Sequence, residues 1–193
     1  MRTTLALSIF LVSALVPTAA VAEPARTVCF KGDQVAHIGT MEQTTHAILE
    51  RTYDPAKNEI RQRTWSDKNP TKEASMTGKV DPTAGTFEFE DPDLGAKGTG
   101  KLDGKPWHWT TFTMTLTKGD LVVESTSKVS DTKLHQEATM KNKGQQIATV
   151  TGELAVFDCK QLEDKKAELA KAAPAAPASP APVKPAPAPK SSK

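Results

Sequence analysis

Ala96-Lys97-Gly98-Thr99-Gly100-Lys101-Leu102-Asp103, followed shortly by Thr111-Phe112-Thr113-Met114-Thr115-Leu116, decides the fold. In both runs small or apolar residues alternate with Lys, Thr and Asp. A period of two marks a strand with one buried face. The same alternation recurs outward along the chain. Ala74, Met76, Gly78 and Val80 alternate with Glu73, Ser75, Thr77 and Lys79. Phe87 and Phe89 alternate with Thr86, Glu88 and Glu90; Leu134, Ala138 and Met140 with Lys133, His135, Glu137 and Thr139; Val150, Leu154 and Val156 with Thr149, Thr151 and Glu153.

Turn chemistry separates these runs at short intervals. Asp54-Pro55-Ala56-Lys57-Asn58, Asp81-Pro82-Thr83-Ala84-Gly85, Asp103-Gly104, Lys118-Gly119-Asp120 and Asn142-Lys143-Gly144 supply Asp, Pro and Gly where tight turns need them. Loops this short make neighbouring strands antiparallel, because a parallel crossover needs a dozen residues or more. The fold class expected is all-β: an antiparallel up-and-down meander of about nine or ten strands. Closure into a barrel removes the unpaired edges such a meander would otherwise expose. An immunoglobulin-like sandwich is the second architecture, and its longer crossing loops fit the short hairpins less well.

The two cysteines, Cys29 and Cys159, bracket this region. Pairing them requires Cα atoms within about 7 Å, so the ends of the meander would be neighbours. The alternative is two separate thiols, which exported chains seldom keep. Export is read from residues 1–22: Arg2, an apolar run from Leu5 to Val16, and Ala20-Val21-Ala22 as an A-x-A cleavage pattern. Pro17 cuts the run short of the roughly 20 residues a membrane span requires. The divisions expected are a signal peptide at 1–22, a barrel domain at 23–165, and a helix end with a disordered Ala/Pro/Lys-rich tail at 166–193. One short helix is predicted within Lys160–Lys171, which is rich in Lys, Glu, Ala and Leu, lying against the barrel mouth or fraying into the tail. Prolines 174, 177, 180, 182, 185, 187 and 189 bar the tail from sheet or helix. The expected location is periplasmic or secreted.

The chain carries 25 basic and 23 acidic residues. Lys184, Lys190 and Lys193 in the tail face no acid there, so the basic excess belongs to the tail. A near-neutral domain is a poor match for nucleic acid, which calls for a clustered basic face. The tail is read either as a tether to an anionic cell-envelope surface or as a solvated spacer. His37, His46, His108 and His135 show no metal-ligand spacing. Asp91-Pro92-Asp93-Leu94-Gly95 opens like a calcium loop but lacks the later bidentate Glu, and reads as an acidic turn. No nucleophile elbow or phosphate-cradling loop occurs, so no catalytic residue, metal or cofactor is assigned.

The expected inward face mixes apolar and polar groups. Gln62, Thr64, His108, Thr110, Ser125, Ser127 and Gln136 share strand parity with Ile60, Phe112, Met114, Val123, Leu134 and Ala138. Gly78, Gly98, Gly100 and Gly152 fall on the same face and leave space there. Space lined by a few polar groups describes a ligand cavity. The candidate ligand residues are Gln62, Thr64, His108, Thr110, Phe112, Met114, Ser125, Ser127 and Gln136. The plainer reading has buried Ser and Thr bonded to backbone and glycines at barrel bends. If His108 faces inward, Trp107 and Trp109 face outward, as a partner platform or as cover for a patch under a loop.

The strand count, the hairpin order and a disulfide joining the ends over Val28–Cys159 resemble the calycin superfamily of lipocalin-like barrels, in particular small exported bacterial members. Gly39-Thr40-Met41 stands where lipocalins carry G-x-W, and no family residue is carried over. The resemblance implies a barrel able to hold an apolar or amphipathic small molecule. Two functions are therefore expected: an exported small-molecule-binding module of the bacterial envelope or, alternatively, a non-enzymatic envelope structural or interaction protein tethered by its Pro-rich tail.

Overall fold

The computed structural model describes residues 23–91 and 95–172. The expected signal segment, the tail from residue 173 and Pro92-Asp93-Leu94 of the acidic turn lie outside the described residues. Ten strands follow in order: β1 (Arg26–Ile38), β2 (Met41–Asp54), β3 (Glu59–Ser66), β4 (Asn69–Asp81), β5 (Thr86–Asp91), β6 (Ala96–Lys105), β7 (His108–Lys118), β8 (Leu121–Val129), β9 (Lys133–Asn142) and β10 (Gln145–Phe157). A short 3-10 turn (Cys159–Gln161) leads into helix α1 (Leu162–Ala172). Each strand pairs antiparallel with its sequence neighbours, and β1 pairs with β10, so the sheet is a closed barrel.

The turns hold for local reasons. Asp81 accepts from the backbone amides of Thr83 and Ala84, both at 2.9 Å, and Gly85 takes φ +63° to return the chain into β5. Closure is direct: β1 and β10 pair from Cys29–Phe157 to Ile38–Ala148. Cys29 and Cys159 form the disulfide, with Cα atoms 5.3 Å apart across 130 residues of sequence.

Pairing places two buried clusters inside. Tyr53, Ile60, Val80, Phe87, Phe89, Ala96, Leu102, Trp109, Phe112 and Leu116 form the larger. Phe30, Ala47, Leu49, Leu134 and Leu154 form the second, and Val28 and Val129 pack against both. The inward glycines of β6 do not leave free space. An added Cβ at Gly98 would lie 2.2 Å from the Phe89 ring, and one at Gly100 equally close to the Phe87 ring. Each ring therefore lies on the glycine paired with it across the β5–β6 ladder.

Gly32 is constrained by backbone. A Cβ there would sit 2.1 Å from the Glu153 carbonyl oxygen and 2.8 Å from Leu154 Cα. Gly32→Ala should therefore push β1 away from β10 and lower stability by about 1–3 kcal/mol, as overpacking does. Urea unfolding checks this; an unchanged midpoint would show that the seam between these strands yields at no cost.

The helix lies on the outer wall, which corrects its expected place at the mouth. Leu169 joins Ile48 and Trp65 in a third buried cluster, with Phe157 and Leu162 against it. These side chains have outward strand parity, so the apolar stripe of α1 needs an outer patch and finds it beside the disulfide. Lys166 Nζ stands 4.7 Å from the Trp65 ring centroid on one side and Arg63 Cζ stands 5.2 Å from it.

Candidate functional site inside the barrel

Strand parity brings most of the predicted site residues together inside. Gln62 pairs with Arg51 and Met76, and Thr64 with Leu49 and Ala74. Phe112 pairs with Leu102 and Ser127, Met114 with Gly100 and Ser125, and Ser127 with Gln136. All of these share the face of the buried core.

His108 and Thr110 do not face inward. Between the pairs Asp103–Thr111 and Gly104–Trp109, β7 holds one residue more than β6, and that residue is Thr110. Such a bulge reverses the parity of everything beyond it. Gly104 takes φ +118° at the irregularity, and the two-residue turn falls on Pro106-Trp107, with Trp107 at φ +65°, instead of on Asp103-Gly104. Trp109 thus enters the core at 3% exposure, and half-buried Trp107 packs against the same cluster. The outward Trp platform is corrected accordingly. His108 points out to Glu23, with 2.7 Å between Nε2 and the carboxylate, and Thr110 is exposed.

The barrel ends differ. One is packed shut by Tyr53, Trp109 and Leu102, with Arg26 stacked 4.7 Å over Tyr53 and donating at 3.0 Å to the Trp107 carbonyl. Toward the other end, the inward residues Ala36 of β1, Val123 and Ser125 of β8, Met140 of β9 and Val150 of β10 are only half-buried. Ile38, Met41 and Ile147 are exposed there.

A polar layer crosses the interior between these zones. Gln34 Nε2 donates to Gln136 Oε1 at 3.1 Å, and Gln136 Nε2 donates to Ser127 Oγ at 3.4 Å. Gln34 and Gln136 sit on β1 and β9 with β10 between them. They meet because the β10 residue in that row is Gly152, where a Cβ would come within 3.2 Å of Gln34 Cγ. On the facing wall, Arg51 is 4% exposed. Its Nε and Nη2 donate to Gln62 Oε1 at 3.2 and 2.7 Å, and its Cζ lies 4.5 Å from the Phe112 ring centroid. Strands β2 and β7 stand opposite one another in the ring, so Arg51 and Phe112 span the interior.

Arg51 and Gln34 did not emerge from sequence reading. The signal was available: Ala47, Leu49, Arg51 and Tyr53 share one parity, as do Val28, Phe30, Gly32 and Gln34. A charged or amide group at an apolar parity position marks an interior polar site.

The four histidines lie on the outward surface, each beside a carboxylate. His46 is held above its usual value of 6.5 chiefly by its hydrogen bond to Asp33, and His135 likewise by its bonds to Glu137 and Glu153. His135 in turn holds the Glu137 carboxyl below its ordinary range. His37 pairs with Glu42 at 3.6 Å. Among the described residues no three His, Cys, Asp or Glu side chains gather at a metal site. Two open depressions of about 730 and 800 Å³ cross the outer wall from β4 to β9, lined largely by outward Thr, Lys and Glu such as Thr99, Thr115 and Glu88. Those side chains are solvated, so the buried polar layer is the stronger candidate.

The architecture is thus a closed, ten-stranded antiparallel barrel, and its candidate site is interior. No family model matches the chain, and no curated protein matches it. Among solved structures it is similar to the S-type phycobiliprotein lyase CPES from Guillardia theta, at 12% sequence identity and a TM-score of 0.48, over 67% of this chain and 86% of that one. No helix among the described residues is long and apolar enough to cross a membrane.

Proposed function

We propose that this protein is an exported small-molecule-binding module of the bacterial envelope that holds an apolar or amphipathic ligand within the barrel. The carrying observation is the polar layer of Gln34, Arg51, Gln62, Ser127 and Gln136 set between a packed end and a loosely covered one. Apolar walls supply affinity and a few fixed polar groups supply orientation, which is the usual economy of a ligand site. The disulfide suits an oxidising compartment, as does the A-x-A pattern at residues 20–22. The Pro-rich segment past α1 acts as a spacer or tether at an envelope surface.

Native mass spectrometry of the protein purified from its own envelope, without detergent, tests the reading. A bound small molecule released by organic solvent is the expected result. Protein without an adduct, whose melting temperature stays unmoved by saturating dodecanol and dodecanoate, would remove the proposal.

A further inference from the structure

We infer that Arg51 anchors the charged group of the ligand, and that this group is a carboxylate at the end of an otherwise apolar chain; the inference rests on the interior being the ligand site. Arg51 lies on the inward face of β2 between Leu49 and Tyr53, both 1% exposed. Two of its donors converge on one neutral acceptor, Gln62 Oε1, while Nη1 is buried with no hydrogen-bond partner. Among the described residues no carboxylate forms an ion pair with it. The contrast with Arg63 on the outward face of β3 is direct: Arg63 is half-exposed and bonded to both Glu50 and Glu73.

A guanidinium does not deprotonate in a protein, so burial cannot be relieved by shedding the charge. Phe112 offers only a ring face and Gln62 only a dipole. An anion is the missing partner. A guanidinium presents a planar fork of donors, and a carboxylate matches it with two parallel bonds. One carboxylate also balances one positive charge. The other polar groups of the layer, Gln34, Gln136 and Ser127, are neutral, so a phosphate dianion would leave negative charge uncompensated. The carboxylate bonds Nη1 and takes Nη2 from Gln62, whose own side chain is half-buried. Met76, Met114 and Met140, inward and half-buried, supply an adaptable apolar lining for the chain.

The test compares dodecanoate with dodecanol by titration calorimetry, so that tail length is constant and only the head changes. The expected result is a preference for dodecanoate of about tenfold or more, as for a hydrogen bond to a charged group. Arg51→Met should abolish that preference, bringing the two affinities together. Gln62→Glu provides a second route should the first variant fail to fold. It places a carboxylate on the guanidinium and should likewise abolish the preference for dodecanoate over dodecanol. Equal affinity of the parent protein for both amphiphiles, or a preference that survives in either variant, overturns the inference alone. Binding of neither amphiphile overturns it together with the ligand reading.

Discussion

Replacing Cys29 and Cys159 together by serine should lower the free energy of unfolding by about 4–5 kcal/mol, the chain-entropy value for a loop of this size. The bond spans 130 residues and encloses the whole barrel. The folded state does not depend on it for pairing, because the β1–β10 ladder extends from Cys29–Phe157 to Ile38–Ala148. Its effect falls on the unfolded chain, whose ends it holds together. The double variant should therefore keep the near-ultraviolet spectrum of the parent and lose only its resistance to urea. A loss below about 1 kcal/mol would mean that the unfolded chain already keeps its ends close. The same reasoning makes the protein markedly weaker in a reducing compartment.

Trp109→Ala should cost about 3–5 kcal/mol, the range for removing a large aromatic from a core. Its neighbour His108→Ala should change stability by no more than about 0.5 kcal/mol, as exposed positions do. Trp109 is 3% exposed, 5.0 Å from Trp107 between ring centroids, and part of the cluster that shuts one end. His108 bonds only an exposed carboxylate at Glu23. The pair separates two registers of β7. Without the extra residue at Thr110, His108 would be the inward group and the two costs would exchange. Equal costs in urea unfolding would remove the bulge as an account of this hairpin.

Much of the inward face was legible before folding. Gln62, Thr64, Phe112, Met114, Ser125, Ser127 and Gln136 all sit on the inward face that alternation assigns them. The failures share one cause: each depended on a partner on another strand. His108 and Thr110 were misplaced because a bulge is defined by two strands together, and one strand read alone shows unbroken alternation. The glycines of β6 read as empty space because the rings that cover them belong to β5. Arg51 passed unnoticed because an arginine in a strand is ordinary until its neighbours prove to be Leu49, Tyr53 and Phe112.

The chain by itself determined the strands, their antiparallel order and the closing of the ring. Period-two alternation, turn residues and cysteine placement are local or end-to-end features, and short hairpins leave a meander little freedom. Tertiary structure alone decided which wall α1 covers, how Phe87 and Phe89 fill the space over glycines, and that a guanidinium lies buried beside a neutral amide. Those outcomes are settled by packing between elements, where volume and charge must be reconciled from one strand to the next and across the barrel.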